Sequence, residues 1–172
     1  AGCTQFTVHA RKAWLKGLSP KENREVPPLD YALVAALKAE RPDLSITLNG
    51  GITTIEECRE HLTVFDGVML GRAAYQNPSL LGHVDAELGG QGAAPVSPHD
   101  ALRAYRPYIA ERLVAGTGLH AMTRHMLGLF NGQPGARAWR RILSERAPKP
   151  GAGLDVLDAA VAAITSQAVS VD

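Results

Sequence analysis

The chain has 172 residues, of which 45% are hydrophobic and 20% charged, and its net charge is +1. This is the composition of an ordinary globular protein, and two cysteines, Cys3 and Cys58, exclude a disulfide framework and indicate a reducing compartment. The balanced charge excludes a uniformly basic nucleic-acid binder but leaves local basic patches open. There is no apolar run near the roughly 20 residues of a membrane span and no visible cleavable signal, so we expect a cytoplasmic protein without membrane attachment.

Short apolar runs predict strands at residues 5–8, 45–48 and 67–70. The stretches between them have helical periodicity, and this alternation is typical of a parallel α/β sheet.

Cap signals mark where the two intervening helices begin. Asp30 can cap a first helix whose Leu33, Val34 and Leu37 share one face. A second helix is predicted after Thr53-Thr54, because Glu56-Glu57 follows at the spacing of a capping box.

Small, uncharged residues at 89–97 predict a linker. Beyond it the periodicity is helical only, beginning with Ser97 as N-cap, Pro98 and Asp100. Further helices are predicted at 119–130, 135–147 and 154–168. The second part of the chain is therefore expected to be a small all-α bundle.

Polar residues and glycines follow each predicted strand, where parallel α/β folds bind ligands. They are His9 after the first strand, Asn49-Gly50-Gly51 after the second and Gly71-Arg72 after the third. Glycines let a phosphate approach the backbone, and an arginine fork matches its oxygens. The alternative to a ligand site is a set of tight turns that bind nothing. In that case Asn49 holds its own turn and His9 only packs.

The segment 11–24 carries Arg11, Lys21 and Arg24 among other basic residues, with Trp14 between them. A solvated loop explains most such runs. A long loop on the ligand face of an α/β fold is often functional, however, and cations with an aromatic ring suit an RNA backbone and an unstacked base.

A sharper basic feature lies in the helical part. Between positions 98 and 147 there are eight arginines but only three acidic residues. Helical spacing places Arg137, Arg140 and Arg141 on one face and Trp139 with its apolar neighbours Ile142 and Leu143 on the other. A solvated face is the alternative to a surface for RNA or DNA.

The sequence VHARKAWLKGLSPKENR at residues 8–24 closely resembles the tRNA-dihydrouridine synthases, specifically their bacterial A subfamily. Supporting matches are NGGI at 49–52, DGVMLGRAAYQNP at 66–78, TRHMLGLF at 123–130 and PGAR at 134–137. The resemblance extends from the first residue to about residue 157.

The resemblance implies an α/β fold, a partial (β/α)8 TIM barrel followed by a small all-α domain. Residues 1–88 would form the C-terminal half of an FMN-binding barrel, 89–97 a linker and 98–172 a helical tRNA-binding domain. The family uses FMN and NADPH to reduce uridines 20 and 20a in the tRNA D-loop to 5,6-dihydrouridine. The full-length protein is expected to be a cytoplasmic monomer.

The family's functional positions can be carried over residue by residue. The resemblance assigns FMN contacts to His9, Asn49, Gly50 and Gly51, and contacts near its phosphate to Gly71 and Arg72. It assigns tRNA contacts to Lys21, Arg24, Arg137 and Arg140, with Arg11 near the substrate.

The resemblance implies no metal ligand and no catalytic residue within the chain. The family's proton-donating cysteine belongs to the barrel half that precedes it. Neither Cys3 nor Cys58 matches that cysteine, and we interpret both as packing residues. Three strands cannot close a barrel, so we expect the chain alone to expose a sheet edge and to lack catalysis.

Two other functions stay open. The chain could be an RNA-binding module without catalysis, which colourless protein that still retards tRNA would support. It could also belong to another FMN- or phosphate-binding barrel oxidoreductase with a small substrate, for which the arginine face has no use.

Overall fold

A computed structural model describes residues 2–14, 16–89 and 92–168. The chain forms two compact units, Ala1–Ala73 and Ala74–Asp172. This division falls before the predicted linker at 89–97, of which Gly90 and Gln91 lie outside the described residues. The assignment of 1–88 and 98–172 to separate domains stays a prediction.

The first unit is a parallel three-stranded sheet with helices between its strands. Its order is β1-β2-β3, and the register aligns Val8 with Leu48 and Leu48 with Val68. The strands are β1 (Gln5–His9), β2 (Ser45–Asn49) and β3 (Gly67–Met69), and the helices are α1 (Tyr31–Glu40), α2 (Ile55–His61) and α3 (Arg72–Gln76), the last of which crosses into the second unit. The predicted α/β alternation is confirmed, with strand ends within one residue.

Local capping explains where α1 and α2 begin. The Asp30 carboxylate accepts the Leu33 N–H at 2.9 Å. Thr54 and Glu57 form the reciprocal capping box, with the Thr54 hydroxyl accepting the Glu57 N–H at 3.1 Å. Both predicted caps are confirmed.

The covered face of α1 differs from the predicted one. Val34 is buried, but Leu33 is 66% and Leu37 is 37% exposed. The helix is turned so that Val34 shares the covered side with the half-buried Tyr31 and Lys38. Lys38 Nζ donates to the Leu44 carbonyl at 2.8 Å and reaches the Asp66 carboxylate at 2.7 Å, and these polar contacts orient the helix.

The core of the first unit lies around β2, whose Ile46 and Leu48 are fully buried. Cys58 packs here as predicted, and burial raises the pKa of its thiol. The packing prediction for Cys3 was wrong, because Cys3 precedes β1 and its side chain is exposed.

The second unit is mainly helical. It contains a 3-10 helix at Pro78–His83 and the helices α4 (Val84–Glu87), α5 (Pro98–Val114), α6 (Leu119–Thr123), α7 (Ala136–Arg146) and α8 (Leu154–Ala168). The Ser97 hydroxyl accepts the Asp100 N–H at 3.1 Å, which confirms the predicted cap of α5.

The predicted helix at 119–130 was too long. It ends at Thr123, and the chain continues through turns in which Met126 N–H bonds the Thr123 carbonyl and Leu129 N–H bonds the Met126 carbonyl. These turns place Met126, Leu129 and Phe130 in the core, although their spacing would also place them on one face of a continued helix.

Trp139 and Phe130 are the largest fully buried side chains of the second unit, and their rings meet edge to face with centroids 4.8 Å apart. Leu143 is buried beside them. The predicted division of α7 into an apolar and an arginine face is confirmed, because Arg137 and Arg141 on the second face are exposed and Arg140 is half-buried. Over the described ranges, every helix is too short or too polar to cross a membrane.

Candidate functional site

The carboxyl ends of the three strands lie together at one edge of the sheet. The register pairs His9 with Asn49 and Asn49 with Met69. Asn49 Nδ2 donates to the Met69 carbonyl at 3.1 Å, which ties the end of β2 to the end of β3. Gly71 and Arg72 follow two and three residues after Met69, so the structure brings the predicted ligand-binding residues that follow all three strands to this edge.

Gly50 and Gly51 have backbone conformations and neighbours that require glycine. Their φ angles are +118° and +76°, in the region that L side chains rarely adopt. A Cβ on Gly50 would lie 2.8 Å from His9 Nδ1, and one on Gly51 would lie 2.5 Å from Leu29 Cδ1. The exposed His9 ring therefore packs directly against the turn that follows β2.

Tyr31 supports the same turn from α1. Its hydroxyl donates to the Gly50 carbonyl at 2.7 Å. Burial, with a smaller contribution from the Glu57 carboxylate, raises the pKa of Tyr31, so the phenol keeps the proton that it donates. The sequence has no signal for this contact, because Tyr31 reads as an ordinary first-turn residue and its acceptor is 19 positions away.

The third strand end carries a charged group beside open space. Arg72 Nη1 pairs with Glu25 Oε1 at 2.8 Å, and both side chains are about half exposed. A Cβ on Gly71 would have no heavy atom within 4 Å, so a ligand can approach the backbone here. Sequence reasoning missed Glu25, which balances the charge of Arg72 and would have to share or release it when an anion binds.

The basic loop after β1 is ordered by its own side chains. Arg11 Nε donates to the Pro27 carbonyl at 2.8 Å. The Asn23 side chain accepts the Trp14 N–H at 2.8 Å and donates to the Trp14 carbonyl at 2.9 Å. Lys21 is exposed on this loop, whereas the side chain of Arg24 lies outside what the structure describes.

A pocket of about 770 Å³ opens at the start of α7 in the second unit. The first turn of a helix carries partial positive charge, which adds to that of the arginines. The charged side chains lining the pocket are Arg137, Arg140 and Arg141.

The arginines of this pocket differ from others in the second unit. Arg103, Arg106 and Arg146 pair with Asp100, Asp158 and Asp155. The three arginines of the pocket have no carboxylate within 4.0 Å among the described residues. Their charge therefore stays available to an anion. The predicted site residues thus form two groups, the strand-end group with the basic loop in the first unit and the α7 group in the second.

No cluster of three or more metal-ligating side chains occurs within residues 2–14, 16–89 and 92–168. The arrangement is instead suited to anions. Glycine backbone, an amide side chain and guanidinium groups all favour phosphate oxygens.

Comparison with known proteins decides the family. A family model for dihydrouridine synthases matches residues 1–167. The chain belongs to the dihydrouridine synthase family.

Curated relatives agree with this assignment. The tRNA-dihydrouridine(20/20a) synthase of Vibrio cholerae is 54% identical to this chain over 170 residues. That of Yersinia pestis is 56% identical to it over 163 residues. That of Escherichia coli K12 is 55% identical over 159 residues. The aligned regions cover 99%, 95% and 92% of this chain but only 52%, 47% and 46% of these relatives. The chain therefore spans about half the length of the curated relatives it matches.

Proposed function

We propose that this chain is part of an enzyme that reduces uridine to 5,6-dihydrouridine at positions 20 and 20a of tRNA. FMN and NADPH would supply the reducing equivalents, and the cytoplasm is the proposed compartment. The observation that carries the proposal is the meeting of His9, the Asn49–Gly51 turn and Gly71-Arg72 at one sheet edge in a chain of this family. We propose further that residues 1–88 are part of a barrel and residues 98–172 a tRNA-binding domain.

The residues at the sheet edge fit an anionic, flat cofactor. Gly71 leaves its backbone open to a ligand, and Arg72 lies next to it in sequence with a guanidinium that is about half exposed. Gly50 lets the His9 ring pack directly on the turn after β2, and Gly51 does the same for Leu29. These residues would hold FMN, with Gly71 and Arg72 at its phosphate. When bound, FMN supplies hydride transfer, which no side chain of the chain can perform.

The chain's own residues act by binding and orientation. Tyr31 holds the Gly50 carbonyl and so fixes the direction of the glycine turn. Asn49 keeps the ends of β2 and β3 in register through the Met69 carbonyl. Arg72 would exchange part of its interaction with Glu25 for the ligand's phosphate.

The basic groups give the proposed enzyme a place to hold tRNA. Lys21 and Arg24 come from the basic loop, which Arg11 anchors at its base. Arg137 and Arg140 come from the pocket at the start of α7. A small substrate would give no reason for arginines without carboxylate partners, which favours RNA over the small-molecule alternative.

Flavin binding by the intact protein that carries this chain tests the cofactor assignment. We expect Arg72→Ala to weaken FMN binding about 10- to 100-fold, because a charge-assisted hydrogen bond is worth about 1.5–3 kcal/mol. Arg41→Ala is the matched control, since Arg41 is also exposed and paired, with Asp43 at 2.7 Å, and lies before β2. Flavin absorbance after dialysis and titration of the apoprotein measure both variants.

Nucleoside analysis of tRNA incubated with the same protein, NADPH and FMN tests the activity, and 5,6-dihydrouridine at positions 20 and 20a is the expected product. Equal FMN affinity of the two variants would refute the role of Arg72. If the protein binds tRNA but does not bind FMN and does not reduce uridine with NADPH, the RNA-binding module is favoured instead.

A further inference from the structure

A hydrogen-bonded group of three side chains lies in the second unit outside the arginine pocket of α7. Arg124 Nε donates to His125 Nε2 at 2.8 Å. His125 Nδ1 lies 3.0 Å from the Tyr75 hydroxyl, and the two rings meet edge to face with centroids 5.8 Å apart. All three side chains are exposed.

The chemistry of the guanidinium determines the proton positions in this group. Arg124 Nε always carries hydrogen, so His125 Nε2 must accept and the ring must be without a proton there. A neutral imidazole then carries its proton on Nδ1 and donates it to the Tyr75 oxygen. The histidine in this arrangement is therefore uncharged, and it fixes Arg124 without cancelling its charge.

The surrounding backbone holds the group in place. A Cβ on Gly128 would collide with the Gln76 carbonyl oxygen and lie 3.2 Å from Pro78 Cδ, so the segment after His125 packs closely on the segment after Tyr75. On the core side, Trp139 Nε1 donates to the Met126 carbonyl at 3.4 Å. The exposed Arg124 therefore precedes a segment, Met126 to Gly128, that packs closely on the rest of the second unit.

Arg124 differs from two arginines of α5 in the charge of its partner. Arg103 and Arg106 bind aspartates that neutralise them. Within the described part of the chain Arg124 has no carboxylate within 4.0 Å, and its hydrogen bond to His125 uses only Nε. Its two terminal nitrogens stay available as a fork, and orientation by a neutral acceptor reduces the entropy lost when an anion binds.

We propose that Arg124 contacts a backbone phosphate of bound RNA and that His125 and Tyr75 are its positioning residues. The proposal rests on the proposed function in that tRNA is the natural RNA. A fixed, unneutralised guanidinium matches the oxygens of a phosphate, and phosphate contacts supply much of the affinity for nucleic acids.

The test is the salt dependence of RNA binding by the intact protein that carries this chain. Dissociation constants for unfractionated tRNA and for poly(U) are measured at several salt concentrations with wild type, Arg124→Ala and Arg103→Ala. Loss of one phosphate contact lowers the slope of log affinity against log salt by about 0.7 to 0.9. We expect this drop for Arg124→Ala, and a clearly smaller one for Arg103→Ala, whose charge Asp100 already balances.

The positioning role is tested by two changes at His125. His125→Leu removes the acceptor for Arg124 Nε and should weaken RNA binding, whereas His125→Gln supplies a neutral oxygen acceptor and should restore most of the affinity. A purely structural role of His125 would not distinguish these variants by their salt slopes at equal folded content. If both bind RNA as tightly as wild type, the positioning role is wrong.

The outcomes separate this proposal from the proposed function. If wild type binds tRNA and the salt slope of Arg124→Ala is no lower than that of Arg103→Ala, the role of Arg124 is overturned and the proposed function stands. If poly(U) binding shows the Arg124 effect but tRNA is not bound, the phosphate contact stands and tRNA is the wrong substrate. Binding of neither RNA overturns both.

Discussion

At Gly135 the start of α7 approaches α8 so closely that there is no room for a side chain. Gly135 is the N-cap of α7, its φ angle is +83°, and a Cβ there would collide with the Ala163 carbonyl oxygen and lie 2.7 Å from Ile164 Cα. We predict that Gly135→Ala destabilises the second unit. Gly132→Ala is the matched control, because Gly132 has a φ angle of +80° but open space around the Cβ position.

The two substitutions share one cost and differ in another. A left-handed conformation costs an alanine about 1–2 kcal/mol, partly offset by about 0.4–1 kcal/mol from the less flexible unfolded chain. Only Gly135→Ala must also push α8 away, and overpacking of this kind costs about 1–3 kcal/mol. We therefore expect a loss of about 1 kcal/mol for Gly132→Ala and about 2–4 kcal/mol for Gly135→Ala.

Tryptophan fluorescence can follow the second unit alone. The chain has two tryptophans, and a Trp14→Phe background leaves the buried Trp139 on α7 as the reporter. With a urea m-value of about 2 kcal/mol/M, the unfolding midpoints of the two variants should differ by about 1 M. Equal midpoints would show that the close approach of α8 contributes nothing and would refute the reasoning.

The remaining predictions concern α2 in the first unit. Thr54→Ala should lower the free energy of unfolding by about 0.5–2 kcal/mol because the capping box is lost, whereas Thr54→Ser should keep most of it, as measured by urea denaturation. The Thr53 N–H, foremost, lowers the pKa of Glu57 from its ordinary 4.5. The stabilising contribution of the ionised Glu57 is therefore complete above pH 4.5. It is lost as the pH falls through the lowered pKa of Glu57. The stability difference between wild type and Glu57→Gln should shrink over that acid range, and a difference independent of pH would contradict this assignment.

Local patterns were enough to determine much of this chain. Strands, helix caps and the two faces of α7 depend on interactions within a few residues, such as Thr54 with Glu57, so the sequence carries them directly. The placement of Asn49 and Arg72 at one sheet edge also follows from parallel alternation, since the carboxyl ends of neighbouring parallel strands share an edge.

Only the tertiary structure decided which side of α1 is covered and where α6 ends. Leu33 and Leu37 set the apolar pattern of α1, but Lys38 turned the helix through its contact with Asp66, 28 positions away. Tyr75 meets His125 across 50 positions. Hydrogen bonds and ion pairs between distant segments leave no periodic trace in sequence, because their geometry exists only after packing has brought the segments together.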